Sequence, residues 1–334
     1  MTSRSIIILG TGMAGLAAGR LLKQAGQDVL LLDKGRRLGG RCATRRSEGY
    51  IFDHGAQFAT AYGADFQHFI AEAAAHSALA NWYLPKKDKP EEDRRVYIGQ
   101  PVMRSLAEYM SNGLDIQQSV EITDIQRSDN LITLTDSDGT AYHCQHLICT
   151  APAPQSTKLL AAAAPALSAL AQQASYDPCW SVMLGWSRET HPDLQEKLKR
   201  LQQPCALLDM AVPQHMRKAA ETKASTTDKA IALVLQASPA WSKTHLEADK
   251  DFVISALTQA YHGHLDRPLP AAEYSAAHRW RYARVQQSAG QATPFAMSAD
   301  GQIMVAGDWL AGPRLEAAYD SGIAAARQLL AQLS

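Results

Sequence analysis

Residues 5–33 read SIIILGTGMAGLAAGRLLKQAGQDVLLLD, and this stretch decides the fold. Ser5–Leu9 is a short apolar run of the kind that forms a parallel strand buried on both faces. Met13–Ala25 carries Leu16, Leu21 and Leu22 at helical spacing, and Gly26 stands where such a helix ends. Val29–Leu32 is a second buried strand, closed by Asp33. A strand, a helix and a strand in about 30 residues match the length of a right-handed parallel crossover. Gly10, Gly12 and Gly15 form GxGxxG at its first turn. The first glycine permits the tight turn, the second admits a pyrophosphate to the backbone, and the third lets helix and strand pack closely. Phosphate charge then meets the free N–H groups of the helix start, which Met13 and Ala14 open. Asp33 lies 21 residues after Gly12, where a carboxylate accepts hydrogen bonds from ribose hydroxyls.

The rest of the chain sets bounds on this unit. With 334 residues, 46% of them apolar and 20% charged, the chain is long enough for two domains and can bury a sizeable core. A formal net charge of zero gives no global basic field for nucleic acid or an acidic membrane. Five cysteines (Cys42, Cys144, Cys149, Cys179, Cys205) are scattered, without a CxxC pair, as in a protein of a reducing compartment. No stretch approaches the roughly 20 apolar residues of a membrane span. The chain therefore reads as cytoplasmic, a monomer or homodimer, with a small-molecule substrate as its partner.

Further along, Ala64–Ala80 and Pro101–Ser111 have helical patterns. Glu121–Gln126, Leu131–Asp136 and Tyr142–Cys149 are short strands separated by turn residues and read as an antiparallel meander. Trp180–Trp186, Ala230–Gln236 and Ala277–Ala283 are further strands, Asp249–His262 is a helix, and Met216–Lys229 reads as a polar loop or exposed helix. Ile303–Ala306 is a last buried strand, followed by Gly307-Asp308 and a helix from Pro313 to Leu333.

Lys34, Arg36 and Arg37 follow Asp33 and suggest NADP, but the Asp33 carboxylate would repel its 2′-phosphate. Gly39-Gly40-Arg41, Asp53-His54-Gly55-Ala56-Gln57 and Gly307-Asp308 point elsewhere. Together they resemble the flavin-containing amine oxidase superfamily, with its glutathione-reductase-like FAD-binding fold. That resemblance implies an α/β fold: a Rossmann domain for non-covalent FAD, plus a second, mixed α+β substrate domain. Residues 1–60, 111–174 and 285–334 would form the first, and residues 61–110 and 175–284 the second, built on a mixed sheet.

The resemblance also implies roles. Arg41, beside Gly40, would pair with the pyrophosphate. Gln57 would lie beside the flavin ring, and Asp308, after Gly307, would hold the ribityl chain. Val120 and Ile122 would hold the adenine side, with Lys34 nearby, and the turn Thr150-Ala151-Pro152 would lie near the cofactor. A helix opening at Gly312-Pro313 would point its N–H groups at the negative edge of the ring. Arg314 adds positive charge there, and Leu315 and Glu316 complete that turn, Glu316 partly offsetting the charge.

FDHGAQFAT, ICTAPAPQ, DPCWSVML, LQASPAWS, AAHRWRYAR and MVAGDW, in this order, resemble bacterial renalase-type proteins over essentially the whole chain. For that family the implied chemistry is oxidation of non-standard dihydronicotinamide dinucleotides, with hydride transfer to flavin N5 and oxygen reduced to hydrogen peroxide. The chain departs from that pattern at residues 206–229, which read ALLDMAVPQHMRKAAETKASTTDK, at Gln236 in place of histidine, and at Ala317 in place of glycine. Another FAD-dependent amine oxidase or dehydrogenase of the superfamily is the alternative, and a non-catalytic flavin-binding regulatory protein is one from another class. His278, Trp280 and Tyr282 alternate with Arg279 and Arg281 and share one face of a strand. That face either presents planar groups to a planar ligand or is a half-buried face with arginines towards solvent. His278, Tyr282, Trp180 and Gln236 are the expected substrate-lining residues.

Overall fold

The computed structural model of the chain describes residues 2–85, 93–128, 130–217, 230–290 and 292–334. The apolar run at the N-terminus becomes strand Thr2–Leu9 in the middle of an eight-stranded sheet. Its parallel neighbours are Val29–Asp33 and Ala141–Cys149, and beyond them lie Asp115–Gln118 on one side and Ile303–Ala306 on the other. Alternation along the first strand sends Ile6 and Ile8 into the core under the first and last helices. Ile7 and Leu9 enter the core on the opposite face. Burial on both faces is why this strand reads as an unbroken apolar run.

The meander is present as Ile122–Ser128, Leu131–Asp136 and Ala141–Cys149, all antiparallel. Its last strand also joins the central sheet, which carries Thr150 to the glycine-rich turn. The last helix, Leu315–Leu333, lies against the first, Met13–Gln24. Gly322 makes this approach possible, because a Cβ there would stand 2.1 Å from the Ala14 carbonyl oxygen. The last helix opens later than its proline suggests: Arg314 is the extended N-cap and Pro313 lies outside it, after a short helix Asp308–Ala311.

A second sheet orders its strands Leu201–Gln202, Leu208–Pro213, Ala230–Ala237, Ser175–Ser187 and Tyr274–Gln287. Every described pairing in it is antiparallel, where the sequence suggested a mixed sheet. Helix Lys250–His262 covers one face with Val253, Leu257 and Tyr261, spaced four apart. Of the divergent segment 206–229, residues 218–229 lie outside the described residues.

Packing departs from the expected domain division in two places. Helices Ala64–Ala75 and Ser105–Met110, assigned from sequence to the substrate domain, bury Phe66, Phe69, Leu106 and Met110 in the core of the first sheet. Hairpin Thr44–Ser47/Tyr50–Asp53, assigned to the cofactor domain, sets Tyr50 and Phe52 against Met183, Val234 and Tyr274 of the second sheet. The chain just after Gly40-Arg41 thus reaches across and ties the two sheets together. No helix among the described residues is long and apolar enough to cross a membrane, and no group of three His, Cys, Asp or Glu among them is placed to hold a metal.

Candidate active site

A cleft of about 710 Å³ runs from the glycine-rich turn to the second sheet, within the size range of small-molecule and cofactor sites. At its nucleotide end, Gly10 has φ +105°, a conformation that favours glycine. Asp33 organises this turn from below. Its Oδ2 accepts from the Thr11 amide at 2.6 Å and the Thr11 hydroxyl at 2.7 Å, and its Oδ1 accepts from the Gly35 amide at 2.6 Å. The first helix begins at an N-cap, Gly12, with no side chain capping it. Nothing lies within 4 Å of where a Gly12 Cβ would stand. An uncapped helix start with open space before it suits a pyrophosphate.

Gly10, Gly12, Met13, Asp33, Lys34, Gly40, Arg41, Gln57, Val120, Ile122, Thr150, Ala151, Pro152, Asp308, Arg314 and Leu315 all line this cleft. Ala14 and Gly307 line a small adjoining recess of about 40 Å³. Gly15 lines neither, since its place is against the Gly10 carbonyl. Glu316 departs from expectation. It is 4% exposed, lies off the cleft, and its Oε1 accepts from the Tyr62 and Gly63 amides at 2.6 and 2.5 Å. Its Oε2 lies 3.8 Å from the guanidinium of Arg314, the helix N-cap.

Arg41 and Asp308 form a bidentate pair, at 2.7 and 2.8 Å. Burial by itself lowers the Arg41 pKa, but the Asp308 charge and hydrogen bonds outweigh it, and the net shift is upward. Cys42 next to it is fully buried, and burial pushes its thiol up to about 12.

The substrate-lining expectations divide. Gln236 and Tyr282 line the cleft, together with Trp280 of the same strand. Trp180 does not. It pairs in register with Arg279, faces the helix side of the sheet, and donates from Nε1 to the His245 carbonyl at 2.9 Å. His278 also lies off the lining, because its ring fills the gap between the sheet and the loop that carries His54. The two imidazoles meet edge to face at 5.0 Å, and Trp280 packs on both. Tyr319 stacks in the core against Phe69 at 5.0 Å, and Trp309 is fully buried.

Sequence reading missed Gln214, whose Oε1 accepts from the Asp53 amide at 3.0 Å, and the lining residues Asp209 and Arg284. Arg284 was legible in principle, since it continues the Arg279, Arg281 strand; Gln214 lies in the divergent segment and carried no signal.

The two histidines make stability depend on pH. Burial first, then the neighbouring His278 and Arg45, push His54 down from 6.5 to about 3. Burial, Arg45 and Lys250 push His278 down to about 4. Both are therefore neutral when folded and gain a proton on unfolding below the ordinary histidine value. Their stabilisation is complete above about pH 6.5 and is lost as pH falls towards 4 and 3. Urea unfolding is expected to show about 2 kcal/mol less stability at about pH 5 than at about pH 6.5 from His54, and a His54→Gln variant a shallower slope.

Comparison with known proteins agrees with this geometry. Residues 83–330 match the family model described as flavin containing amine oxidoreductase, and residues 8–73 that of an NAD(P)-binding Rossmann-like domain. The chain belongs to the flavin-containing amine oxidase superfamily. A possible lysine-specific histone demethylase 1 from Drosophila melanogaster is 44% identical over 55 residues, 16% of this chain and 6% of that protein. The L-amino-acid oxidase of Siganus canaliculatus is 44% identical over 57 residues, 16% of this chain and 11% of that protein. The matches thus span a small part of these relatives' length. A solved putative protoporphyrinogen oxidase from Exiguobacterium sp. 255-15 is 14% identical, covers 99% of this chain and 100% of its own, and superposes with a TM-score of 0.69. A triple mutant of putrescine oxidase is 12% identical, covers 99% of both chains and gives 0.70. At these identities the likeness is one of fold.

Proposed function

We propose that the chain is a renalase-like oxidase that binds FAD non-covalently and oxidises dihydronicotinamide dinucleotides reduced at non-standard positions. A bound flavin would supply the redox chemistry, the two-electron oxidation of the dihydronicotinamide to aromatic nicotinamide with oxygen reduced to hydrogen peroxide. The chain's own residues bind and orient. Asp33, which lines the cleft, would accept from ribose hydroxyls, the Gly12 turn would take the pyrophosphate, and the uncapped first turn after Arg314 would face the negative edge of the ring.

The observation that carries the substrate reading is the cleft wall made by one strand. Trp280, Tyr282 and Arg284 line it, while Arg279, opposite Trp180 in register, turns its guanidinium to the Leu246 carbonyl and Glu247. Aromatic faces suit a planar ring and guanidinium groups suit phosphates. Arg279 and Arg281 are held by Glu247. The same end of the cleft is poorly suited to an amine cation. Arg94 covers the ring of the cleft-lining Phe58 at 5.4 Å, so that aromatic face already carries a cation. Strand Tyr274–Gln287 also carries no lysine.

Anaerobic mixing with chemically reduced NAD isomers is expected to bleach the flavin within the mixing experiment, while amines leave it yellow. Bleaching by amines alone would favour the amine oxidase reading, and an unbleached flavin a binding role without turnover. Non-covalent attachment fits a buried Cys42 thiol that stays protonated, and acid precipitation should leave the protein pellet colourless. Five unpaired cysteines fit a cytoplasmic protein.

A further inference from the structure

We propose that Asp209 and Arg284 set the substrate specificity of the cleft: Asp209 accepts from the hydroxyls of the nicotinamide ribose, and Arg284 donates to the phosphate beyond it. The inference deepens the dihydronicotinamide reading above and rests on it. The two residues turn a site open to any dihydropyridine into one that selects a nucleotide.

Two irregularities in the second sheet bring these side chains to the cleft. In strand Leu208–Pro213, Leu208 pairs with Ala237 and Met210 with Gln236, so Asp209 is an extra residue in the ladder. Such a bulge sets two successive residues against one and re-aims a side chain. Asp209 and Met210 accordingly both line the cleft, beside Gln236. In strand Ser175–Ser187, Asp177 pairs with Arg284 and Cys179 with Trp280, so Pro178 alone stands opposite Arg281, Tyr282 and Ala283. Proline has no N–H to give the ladder, and the neighbouring strand carries extra residues past it. Asp177, Cys179, Tyr282 and Arg284 line the cleft at this point. The Ala283 carbonyl accepts from Arg41 at 3.3 Å, which ties the irregular stretch to the nucleotide side.

Both side chains keep bonding capacity to spare. Among the described residues, the Asp209 carboxylate takes one hydrogen bond, from the Gln203 side-chain amide at 3.5 Å. The half-exposed Arg284 side chain has Asp177 at 4.0 Å, beyond hydrogen-bond reach. Arg41, Arg279 and Arg281 differ, since a carboxylate engages each of them at 2.7, 2.5 and 2.7 Å. Burial pushes the Cys179 thiol up to about 12; the Asp209 charge adds to that shift and the Arg284 charge opposes it, so both stand near this one thiol. No ion pair among the described residues joins the two to each other. A carboxylate only accepts and a guanidinium only donates. Set apart on one wall, they match what a nucleotide presents in order: a diol whose O–H groups donate, then a phosphate that accepts. Trp280, opposite Cys179 in register, would supply the aromatic face for the ring itself.

Anaerobic flavin reduction in the holoprotein tests this with three chemically reduced donors: N-benzylnicotinamide, which has no ribose, nicotinamide riboside, and nicotinamide mononucleotide. In the wild type the dissociation constant should fall about tenfold at each step along that series. Asp209→Ala should lower the preference for riboside over N-benzylnicotinamide about tenfold, with Asp209→Asn, which keeps one acceptor oxygen, in between. Arg284→Met should lower the preference for mononucleotide over riboside by about as much, with Arg284→Lys in between. Wild-type protein that binds all three donors alike would overturn the assignment without any variant. So would an Asp209→Ala protein with wild-type preferences, or an Arg284→Met protein that loses FAD and keeps its preference for phosphate. A wild-type flavin that none of the three donors reduces would sink the dihydronicotinamide reading itself.

Discussion

A Gly15→Val variant is expected to take up no flavin and to lose about 3 kcal/mol of stability or more. The first atom of any side chain at position 15 would stand 1.9 Å from the Gly10 carbonyl oxygen and 3.0 Å from the Thr150 hydroxyl. The obstacle is backbone, which cannot swing aside as a flexible side chain does. Relief requires the first helix to lift away from its strand. Lifting it pulls the Thr11 amide and hydroxyl off Asp33 and separates the helix start from the cleft it serves. Gly12→Ala makes the contrasting case. A methyl there meets nothing within 4 Å in the protein, so the fold should be kept, while the methyl occupies the space a pyrophosphate needs. Flavin absorbance per polypeptide after gel filtration, beside urea unfolding, separates the two. Gly15→Val should fail both measurements and Gly12→Ala the first alone. A yellow, stable Gly15→Val protein would mean that helix and strand do not meet as the structure has them.

What was legible in the sequence follows from this geometry. The strand–helix–strand unit was readable because each of its glycines answers one local demand. The strands were readable because burial on both faces leaves no polar position. The substrate side was harder. Trp180 and His278 are aromatic or imidazole groups on strands of one sheet, and residue type alone does not tell which face meets the cleft. The register does: Ser181 pairs with both Gln236 and His278, which puts those two on one face and Trp180 on the other. A ring then decides the rest, since the His54 loop covers His278 and leaves Gln236 at the edge. Glu316 misled for a similar reason. A carboxylate in a first helical turn was expected to act on the cofactor, and its use as an acceptor for Tyr62 and Gly63 depends on a segment more than 250 residues away. The core that helix Ala64–Ala75 joins was not legible, because an amphipathic helix shows that it packs, and not against which sheet.

Arg41→Ala is expected to cost about 2–4 kcal/mol in urea unfolding, beyond any loss of flavin. The arginine side chain is 30% exposed but its partner, the Asp308 carboxylate, is 7% exposed. Truncating Arg41 leaves that charge buried and unpaired, which is more costly than the pair was favourable. The partial exposure of Arg41 lets some water reach the site and places the loss at the lower part of the range for buried pairs. Arg41→Lys should fall between, because an ammonium supplies the charge without the two-pronged contact that reaches both carboxylate oxygens. The double variant Arg41→Met/Asp308→Asn removes both charges together. It should regain much of the stability that Arg41→Ala loses, since no charge is stranded, and yet bind FAD no better. Stability and flavin affinity would then part in one set of proteins. That separation assigns the pair two tasks: closing the fold beneath the cleft, and presenting a cation to phosphate. Unfolding of Arg41→Ala at the wild-type urea midpoint would show that Asp308 does not depend on this partner, and that the charge at position 41 serves the ligand alone.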